Sequence, residues 1–155
     1  MISFVPAHED PEKYKHMAKD YIRTLHSFDQ TVIWSNAAWD RSIQFSYLIE
    51  NDGEVIGFFS KEELKFPGHT DALYIGEFYI APKYRRKGFG KEAVSVIIKD
   101  WEDDILLYVL NRNMTAKSFW AAMERSFGWH RIDRADVPDE RGCDKRVYRQ
   151  KWKRG

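Results

Sequence analysis

The chain has 155 residues, enough for one compact domain that buries roughly 70% of its unfolded surface. Its 25 basic and 24 acidic residues give a net charge of +1, so no global field favours nucleic acid or a membrane as partner. The lone Cys143 excludes an internal disulfide, and no apolar run approaches a membrane span. We expect a cytoplasmic protein with a single domain over residues 1–155, acting as a monomer or a homodimer.

Local patterns predict eleven elements, without an internal repeat or a linker. Apolar residues every third or fourth position indicate helices, and alternation with β-branched residues indicates strands. Asp10 before Pro11 is typical of a helix start, and Asp52-Gly53 of a tight hairpin turn. In chain order we predict a strand at 2–5, a helix from Asp10 to Leu25, a short helix from Asn36 to Ile43, strands at 45–50 and 54–60, a loop at 61–70, a strand at 73–80, a helix with apolar positions from Ala93 to Trp101, a strand at 105–110, a helix at 115–126, and strands at 129–134 and 145–152.

The turn after the strand at 73–80 is the most informative segment. Ala81-Pro82 ends the strand, because proline cannot donate to a continuing ladder. The helix that follows offers unpaired backbone N–H groups and the positive end of its dipole. Gly88 and Gly90 let an anion approach this backbone closely. The segment therefore predicts a phosphate-binding turn. The basic residues that surround the two glycines are Lys83, Arg85, Arg86, Lys87 and Lys91.

The spacing of this turn distinguishes among phosphate-binding motifs. A P-loop is excluded, since the upstream glycine and the Ser/Thr are missing, and Ala93 stands where a dinucleotide turn has its third glycine. The pattern R-x-x-G-x-G, as Arg85, Gly88 and Gly90, follows the sequence EFYIAP. This combination resembles the pyrophosphate motif of the GNAT family, the acetyl-coenzyme A-dependent N-acetyltransferases. The alternative is a basic surface turn in which the glycines serve only to allow the backbone conformation of the turn.

A second motif supports the resemblance. Asn113-x-x-Ala116-x-x-Phe119-Trp120 is similar to the family pattern N-x-x-A-x-x-F-Y, whose asparagine helps to hold coenzyme A. For Asn113 the alternative is a helix N-cap. The family usually has tyrosine, a proton donor to the departing thiolate, where this chain has Trp120, and an indole N–H is not a usable acid.

The resemblance implies an α/β (α+β) fold and a co-substrate. The fold would be a central mixed, mostly antiparallel sheet of six to seven strands with splayed central strands, flanked by about four helices. The co-substrate would be acetyl-coenzyme A, with no metal. The implied cofactor-binding residues are Phe78, Tyr79, Ile80, Arg85, Arg86, Lys87, Gly88, Phe89, Gly90, Lys91, Asn113, Ala116, Lys117 and Trp120.

Glu77 is the candidate general base. Alternation along the strand places Glu77 and Tyr79 on one face and turns Phe78 and Ile80 towards the core. Burial on a central strand would raise the pKa of the Glu77 carboxyl towards what a base needs. The alternative is a carboxylate at the rim that pairs with a neighbouring lysine or arginine.

The acceptor is expected to be a primary amine, of a small molecule or a peptide. Trp34, Trp39 and Tyr74 are candidates for its binding, because aromatic side chains beside carboxylates suit a cationic amine.

The five histidines are scattered along the chain, and no two of them have the spacing of metal ligands. The competing functional hypothesis is a non-catalytic module on the same fold that binds coenzyme A, RNA or protein.

Overall fold

The computed structural model describes residues 1–32 and 36–150. Within these ranges it contains seven strands and four α-helices, with three short 3-10 segments between them. The elements are β1 (Ile2–Pro6), α1 (Pro11–His26), α2 (Asn36–Ser42), β2 (Ser46–Asn51), β3 (Glu54–Leu64), β4 (Ala72–Ile80), α3 (Phe89–Ile97), β5 (Asp104–Leu110), α4 (Met114–Phe127), β6 (Trp129–Ile132) and β7 (Cys143–Gln150). No helix of the described residues has the length and apolarity that crossing a membrane requires.

The predicted elements all occur, but four boundaries were wrong by two residues or more. β3 continues to Leu64, through residues predicted as loop, and β6 ends at Ile132 rather than at 134. β7 begins two residues early, at Cys143, and predicted residues 151 and 152 lie outside the described ranges. α3 ends at Ile97, and Trp101 lies beyond it, with its indole N–H donating to the carbonyl of Asp104 at 2.8 Å. Pairing and packing partners, absent from the local pattern, fix these ends.

Local signals in the sequence account for the correctly predicted starts. The Asp10 side chain accepts a hydrogen bond from the amide of Lys13 at 3.2 Å, and Pro11 takes the first helical position of α1. The hairpin between β2 and β3 turns at Asp52 and Gly53, both with positive φ, as a type I′ turn requires. These contacts involve neighbours in the chain, and sequence alone therefore predicts them.

The strands form one seven-stranded sheet in the order β1-β2-β3-β4-β5-β7-β6. The pairs β1–β2, β2–β3, β5–β7 and β6–β7 are antiparallel, and β4–β5 is parallel. The parallel ladder joins Ala72–Tyr74 to Asp104–Leu106, whereas β4 continues to Ile80 and β5 to Leu110. A mixed, mostly antiparallel sheet with four helices confirms the predicted fold class.

The chain forms two compact units, and the first comprises Met1–Lys61 and Gly76–Lys99. Its core is an aromatic and aliphatic cluster beneath α1, with Trp39 and Ile43 packed at its edge. The buried members of this cluster are Ala7, Tyr14, Met17, Ala18, Leu48, Phe58 and Tyr79.

The second unit comprises Glu62–Ile75 and Asp100–Gly155. Its core contains Ala72, Leu106, Val137 and Val147, all with 2% exposure or less. Partly buried aromatic and aliphatic residues pack around them: Leu64, Phe66, Tyr74, Tyr108 and Ile132. A single domain over residues 1–155 stays a prediction.

Candidate active site

The turn between β4 and α3 presents a run of backbone N–H groups. Arg86 and Gly88 both have positive φ, +62° and +82°, and Gly88 precedes the helix without a side-chain cap. The first α-helical bond of α3 runs from Glu92 to Gly88, so the earlier amides have no helical acceptor. The N–H groups of residues 89–91, in the first turn of α3, therefore have no helical acceptor, and together with those of residues 86–88 we name them the turn amides. A turn of this kind, leading into a helix start, is a binding place for anions.

The charges around the turn amides favour an anion further. Arg86, Lys87 and Lys91 are exposed, and none of them forms a salt bridge with the described residues. The nearest acid in sequence, Glu92, accepts a hydrogen bond from the amide of Ile2 at 3.1 Å, which ties its carboxylate to β1. The basic side chains are therefore available to a phosphate in solution, and their attraction should weaken with salt.

Arg85 contributes to this turn in a different way from the other basic residues. Its Nε donates to the carbonyl oxygen of Ile80 at 2.7 Å, and its guanidinium lies 5.5 Å from the ring centre of Tyr79. The sequence pattern predicts Arg85 as a phosphate ligand. In the folded chain it also fastens the turn to the last residue of β4, which a lysine could not do with the same planar geometry.

The strand that carries Glu77 is held closely against β3. The amide of Glu77 donates to the Ser60 hydroxyl at 2.8 Å, and the amide of Ala81 donates to the carbonyl of Ile56 at 2.8 Å. A Cβ added to Gly57 would lie 2.0 Å from the Tyr79 carbonyl oxygen, so only glycine allows this approach. The backbone of Glu77 is thus held to β3, directly by the Ser60 side chain and through the close approach of the strands at Gly57.

The Glu77 carboxylate is half-buried and accepts a hydrogen bond from the Tyr21 hydroxyl, with Oε2 as the acceptor. This partner is a tyrosine of α1, neither a lysine nor an arginine. Tyr21 also makes an edge contact with the ring of Tyr79, at 5.7 Å between centroids. Glu77 and Tyr79 therefore share a face of β4, as predicted.

The prediction that alternation directs Phe78 and Ile80 towards the core and leaves Tyr79 away from it was wrong for Tyr79. Tyr79 is 5% exposed and belongs to the core cluster beneath α1, and Ile80 is buried as well. Phe78 is half-buried. Side chains from both faces of β4 are buried, and a simple inside–outside alternation does not describe such a strand. Burial raises the pKa of the Tyr79 hydroxyl, with the charge of Asp20 adding to it and those of Arg85 and Arg23 opposing it.

Two functional candidates in the first unit were missed by sequence analysis. Tyr21 occupies an apolar position of the α1 stripe, and Ser60 is the last predicted residue of a strand. Both bind Glu77, which is 56 residues from Tyr21 and 17 from Ser60 in the chain. Such contacts leave no periodic or motif signal in one sequence.

Of the three acceptor candidates, the two that the structure describes, Trp39 and Tyr74, belong to different units. Trp34 lies outside the described residues. Trp39 packs edge-on against Tyr14, at 5.9 Å between centroids, at the border of the first unit's core. Tyr74 belongs to the second unit, where it makes an edge contact with Tyr108 at 6.0 Å. Their assignment to the acceptor stays a prediction.

The second motif lies at the start of α4 in the second unit. Asn113 is the N-cap, because its Oδ1 accepts a hydrogen bond from the amide of Ala116 at 3.0 Å. Ala116 and Lys117 are half-buried, and Trp120 is 6% exposed with its ring edge-on to Phe119 at 5.0 Å. The capping alternative for Asn113 is therefore realised, and the cofactor role of these four residues stays a prediction.

A cavity of about 690 Å³ in the second unit contains none of the predicted site residues. Arg134 and Arg149 in its wall both bind the buried Asp104, at 3.0 and 2.9 Å, and Arg134 also binds Asp136. The hydrogen bond from Arg134 lowers the pKa of Asp136. Because these charges neutralise one another, we assign them to stabilising the loop after β6 and not to chemistry. No group of three or more His, Cys, Asp or Glu in the described parts of the chain could hold a metal ion.

Known proteins match this chain in family and in fold. The family of GNAT acetyltransferases matches residues 10–128. No curated protein matches. The diaminobutyrate acetyltransferase EctA from Paenibacillus lautus, solved with L-2,4-diaminobutyric acid and coenzyme A, superposes with a TM-score of 0.68 at 13% identity, covering 97% of this chain and 95% of that one.

Two further solved structures have the same fold. N-acetylglutamate synthase from Neisseria gonorrhoeae, complexed with coenzyme A and N-acetyl-glutamate, gives a TM-score of 0.66 at 19% identity, over 97% of this chain and 35% of that one. Arabidopsis thaliana Naa50, in complex with the bisubstrate analogue CoA-Ac-MVNAL, gives 0.57 at 17% identity, over 95% and 96%. With a family match over most of its length, this chain belongs to the GNAT family, the acetyltransferases that transfer an acetyl group from acetyl-coenzyme A to an amine.

Proposed function

We propose that the chain binds the pyrophosphate of acetyl-coenzyme A on the turn amides and acetylates a cationic primary amine, with Glu77 as general base. The observation that carries this proposal is the run of six turn amides beside Arg86, Lys87 and Lys91. We also propose a cytoplasmic location, which the absence of a second cysteine supports.

Glu77 would remove the proton that makes an amine unreactive. The carboxylate takes a proton from the acceptor ammonium, and the neutral nitrogen then attacks the thioester carbonyl carbon. As the C–N bond forms and the C–S bond breaks, coenzyme A leaves as a thiolate, and the nitrogen loses its second proton to water to give the neutral amide. Backbone N–H groups of residues 78–80 are our candidates for holding the pantetheine and the developing oxyanion.

Coenzyme A can leave the acetyl group without a strong acid to protonate its sulfur. A thiol with a pKa of about 8.5 is a moderate leaving group, so we propose that water carries the second proton of the attacking nitrogen to the thiolate, while Glu77 releases the first proton to solvent. The side chain of Trp120, standing where the family has tyrosine, cannot protonate the thiolate.

The Glu77 carboxylate and the molecules bound to the solved relatives support the acceptor class that we propose. The bound molecules named with those relatives include L-2,4-diaminobutyric acid, N-acetyl-glutamate and a peptide-based analogue. We propose an amino acid, a small amine or a peptide N-terminus as acceptor, bound as a cation.

Thiol release from acetyl-coenzyme A, measured with L-2,4-diaminobutyrate, L-glutamate, small polyamines and a peptide starting MVNAL, tests this function. We expect turnover with at least one amine. We also expect Glu77→Gln to lower turnover about 10²-fold or more, with coenzyme A affinity unchanged. Glu54→Gln, an exposed carboxylate of the first unit, is the matched control. Coenzyme A binding without turnover on any amine would favour the non-catalytic module.

A further inference from the structure

The Tyr21 side chain is fixed on three sides in the first unit. Its hydroxyl donates to Oε2 of Glu77. Its ring makes edge contacts with Phe58 at 5.5 Å and with Tyr79 at 5.7 Å between centroids. A phenol held in this way has little freedom to leave the carboxylate, because rotating it away would break both aromatic contacts.

Glu77 in turn is held at two points by other elements. Its amide donates to the Ser60 hydroxyl of β3 at 2.8 Å, and its carboxylate receives the Tyr21 hydroxyl of α1. The backbone of Glu77 is thus anchored by β3, and its side chain is anchored by α1. A base that must meet an incoming amine benefits from such an arrangement, since small misplacements of a catalytic group are costly.

We propose that Tyr21 is a positioning residue for Glu77, which orients the carboxylate and stabilises its ionised, proton-accepting form. The proposal rests on the proposed role of Glu77 as general base. A hydrogen bond donated to a carboxylate favours the charged form, and it opposes the effect of partial burial.

Other titratable groups lie around Tyr21 and Glu77, and each has its own interactions. Tyr14 of α1 is buried, its hydroxyl binds Ser42 at 2.5 Å, and burial raises its pKa, with the charge of Glu77 as the smallest contribution. Around Tyr79 the charges are those of Asp20, Arg23 and Arg85. Of these groups, Tyr21 is the one with a hydrogen bond to the Glu77 carboxylate.

Tyr21→Phe tests the proposal, because it removes the hydroxyl and keeps the ring contacts. With the amine that gives the fastest turnover, we expect kcat to fall about tenfold, a typical loss for one hydrogen bond to a charged group. The dissociation constant of coenzyme A should stay unchanged. The acidic limb of the pH–rate profile should move to higher pH, since ionised Glu77 loses a donor. Tyr47→Phe, another half-buried tyrosine of the first unit, is the matched control and should change none of these quantities.

A direct titration gives a readout that does not need the acceptor. In protein labelled with ¹³C-glutamate, the Glu77 carboxyl signal, assigned by its loss in Glu77→Gln, should titrate at higher pH in Tyr21→Phe than in the wild type. An unchanged midpoint would overturn the proposal. Equal melting temperatures of the two proteins would exclude unfolding as the cause of a shift.

A double mutant separates failure of this inference from failure of the proposed base. If Tyr21 acts through Glu77, Tyr21→Phe should cost nothing more in the Glu77→Gln background. An additional tenfold loss there would overturn the positioning role and leave the base intact. If Glu77→Gln alone kept full turnover, the proposed base itself would be wrong, and the positioning role would fall with it.

Discussion

Arg85 Nε donates to the carbonyl oxygen of Ile80 at 2.7 Å and so ties the turn that follows β4 to the last residue of that strand. The arginine of the R-x-x-G-x-G pattern therefore shapes the turn, in addition to adding charge. The guanidinium position over the Tyr79 ring, at 5.5 Å, reinforces the same geometry. A substitution that keeps the positive charge of Arg85 but removes its hydrogen bond to Ile80 can separate these two contributions.

Arg85→Lys should weaken coenzyme A binding by about tenfold, although the charge is kept, because an ammonium cannot reproduce the Nε hydrogen bond and the planar stacking. Calorimetric titration with coenzyme A measures the effect. Arg41→Lys, an exposed arginine of α2, is the control and should bind normally. Wild-type affinity in Arg85→Lys would mean that only the charge matters at this position.

Gly88→Ala should weaken coenzyme A binding through the backbone rather than through a clash. Gly88 has φ +82° with open space around it, so a Cβ meets no atom but disfavours the left-handed conformation by about 1–2 kcal/mol. Relaxation of the turn would then misalign the turn amides.

Gly53→Ala is a matched control for Gly88→Ala, since Gly53 has φ +84° and equally open surroundings in the β2–β3 hairpin. Denaturant unfolding should show similar losses of stability in both variants. Only Gly88→Ala should lose affinity for coenzyme A. If the two variants bound coenzyme A with equal affinity, the turn amides would not be part of the binding site.

Trp120→Ala should destabilise the fold by about 3–5 kcal/mol, because the indole is 6% exposed and a large cavity would remain. Trp120→Phe should keep most of the turnover, since an indole N–H donates no proton at neutral pH. Unfolding curves and thiol-release assays measure the two effects. Loss of turnover in Trp120→Phe, with stability and coenzyme A affinity intact, would give the indole N–H a specific role.

Stability should fall in alkali because of Tyr148. Burial raises the pKa of its hydroxyl to about 12, against an opposing effect of Arg146, while an unfolded tyrosine titrates near 10. Above pH 10 the unfolded chain therefore releases a proton that the folded chain keeps. The free energy of unfolding should drop by roughly 2–3 kcal/mol between pH 10 and 12. Urea unfolding at several pH values should show a smaller drop in Tyr148→Phe, and an equal drop would contradict this assignment.

The sequence alone determined the features whose causes are neighbours in the chain. The helix starts at Asp10 and Asn113, the hairpin turn at Gly53 and the phosphate-binding pattern from Arg85 to Gly90 depend on contacts within a few residues. Short-range preferences of this kind act in any context, which is why the order of elements and the family could be predicted from residue spacing.

Only the tertiary structure decided which distant side chains meet. It extended β3 to Leu64, buried Tyr79 in the core, and brought the Tyr21 hydroxyl to Glu77 across 56 residues of chain. Each outcome depends on how strands pair and how a helix packs on them, and these are long-range terms that the periodicity of one segment does not contain. The turn that we propose as an anion-binding site could therefore be predicted from the sequence, whereas the partner of the candidate base could not.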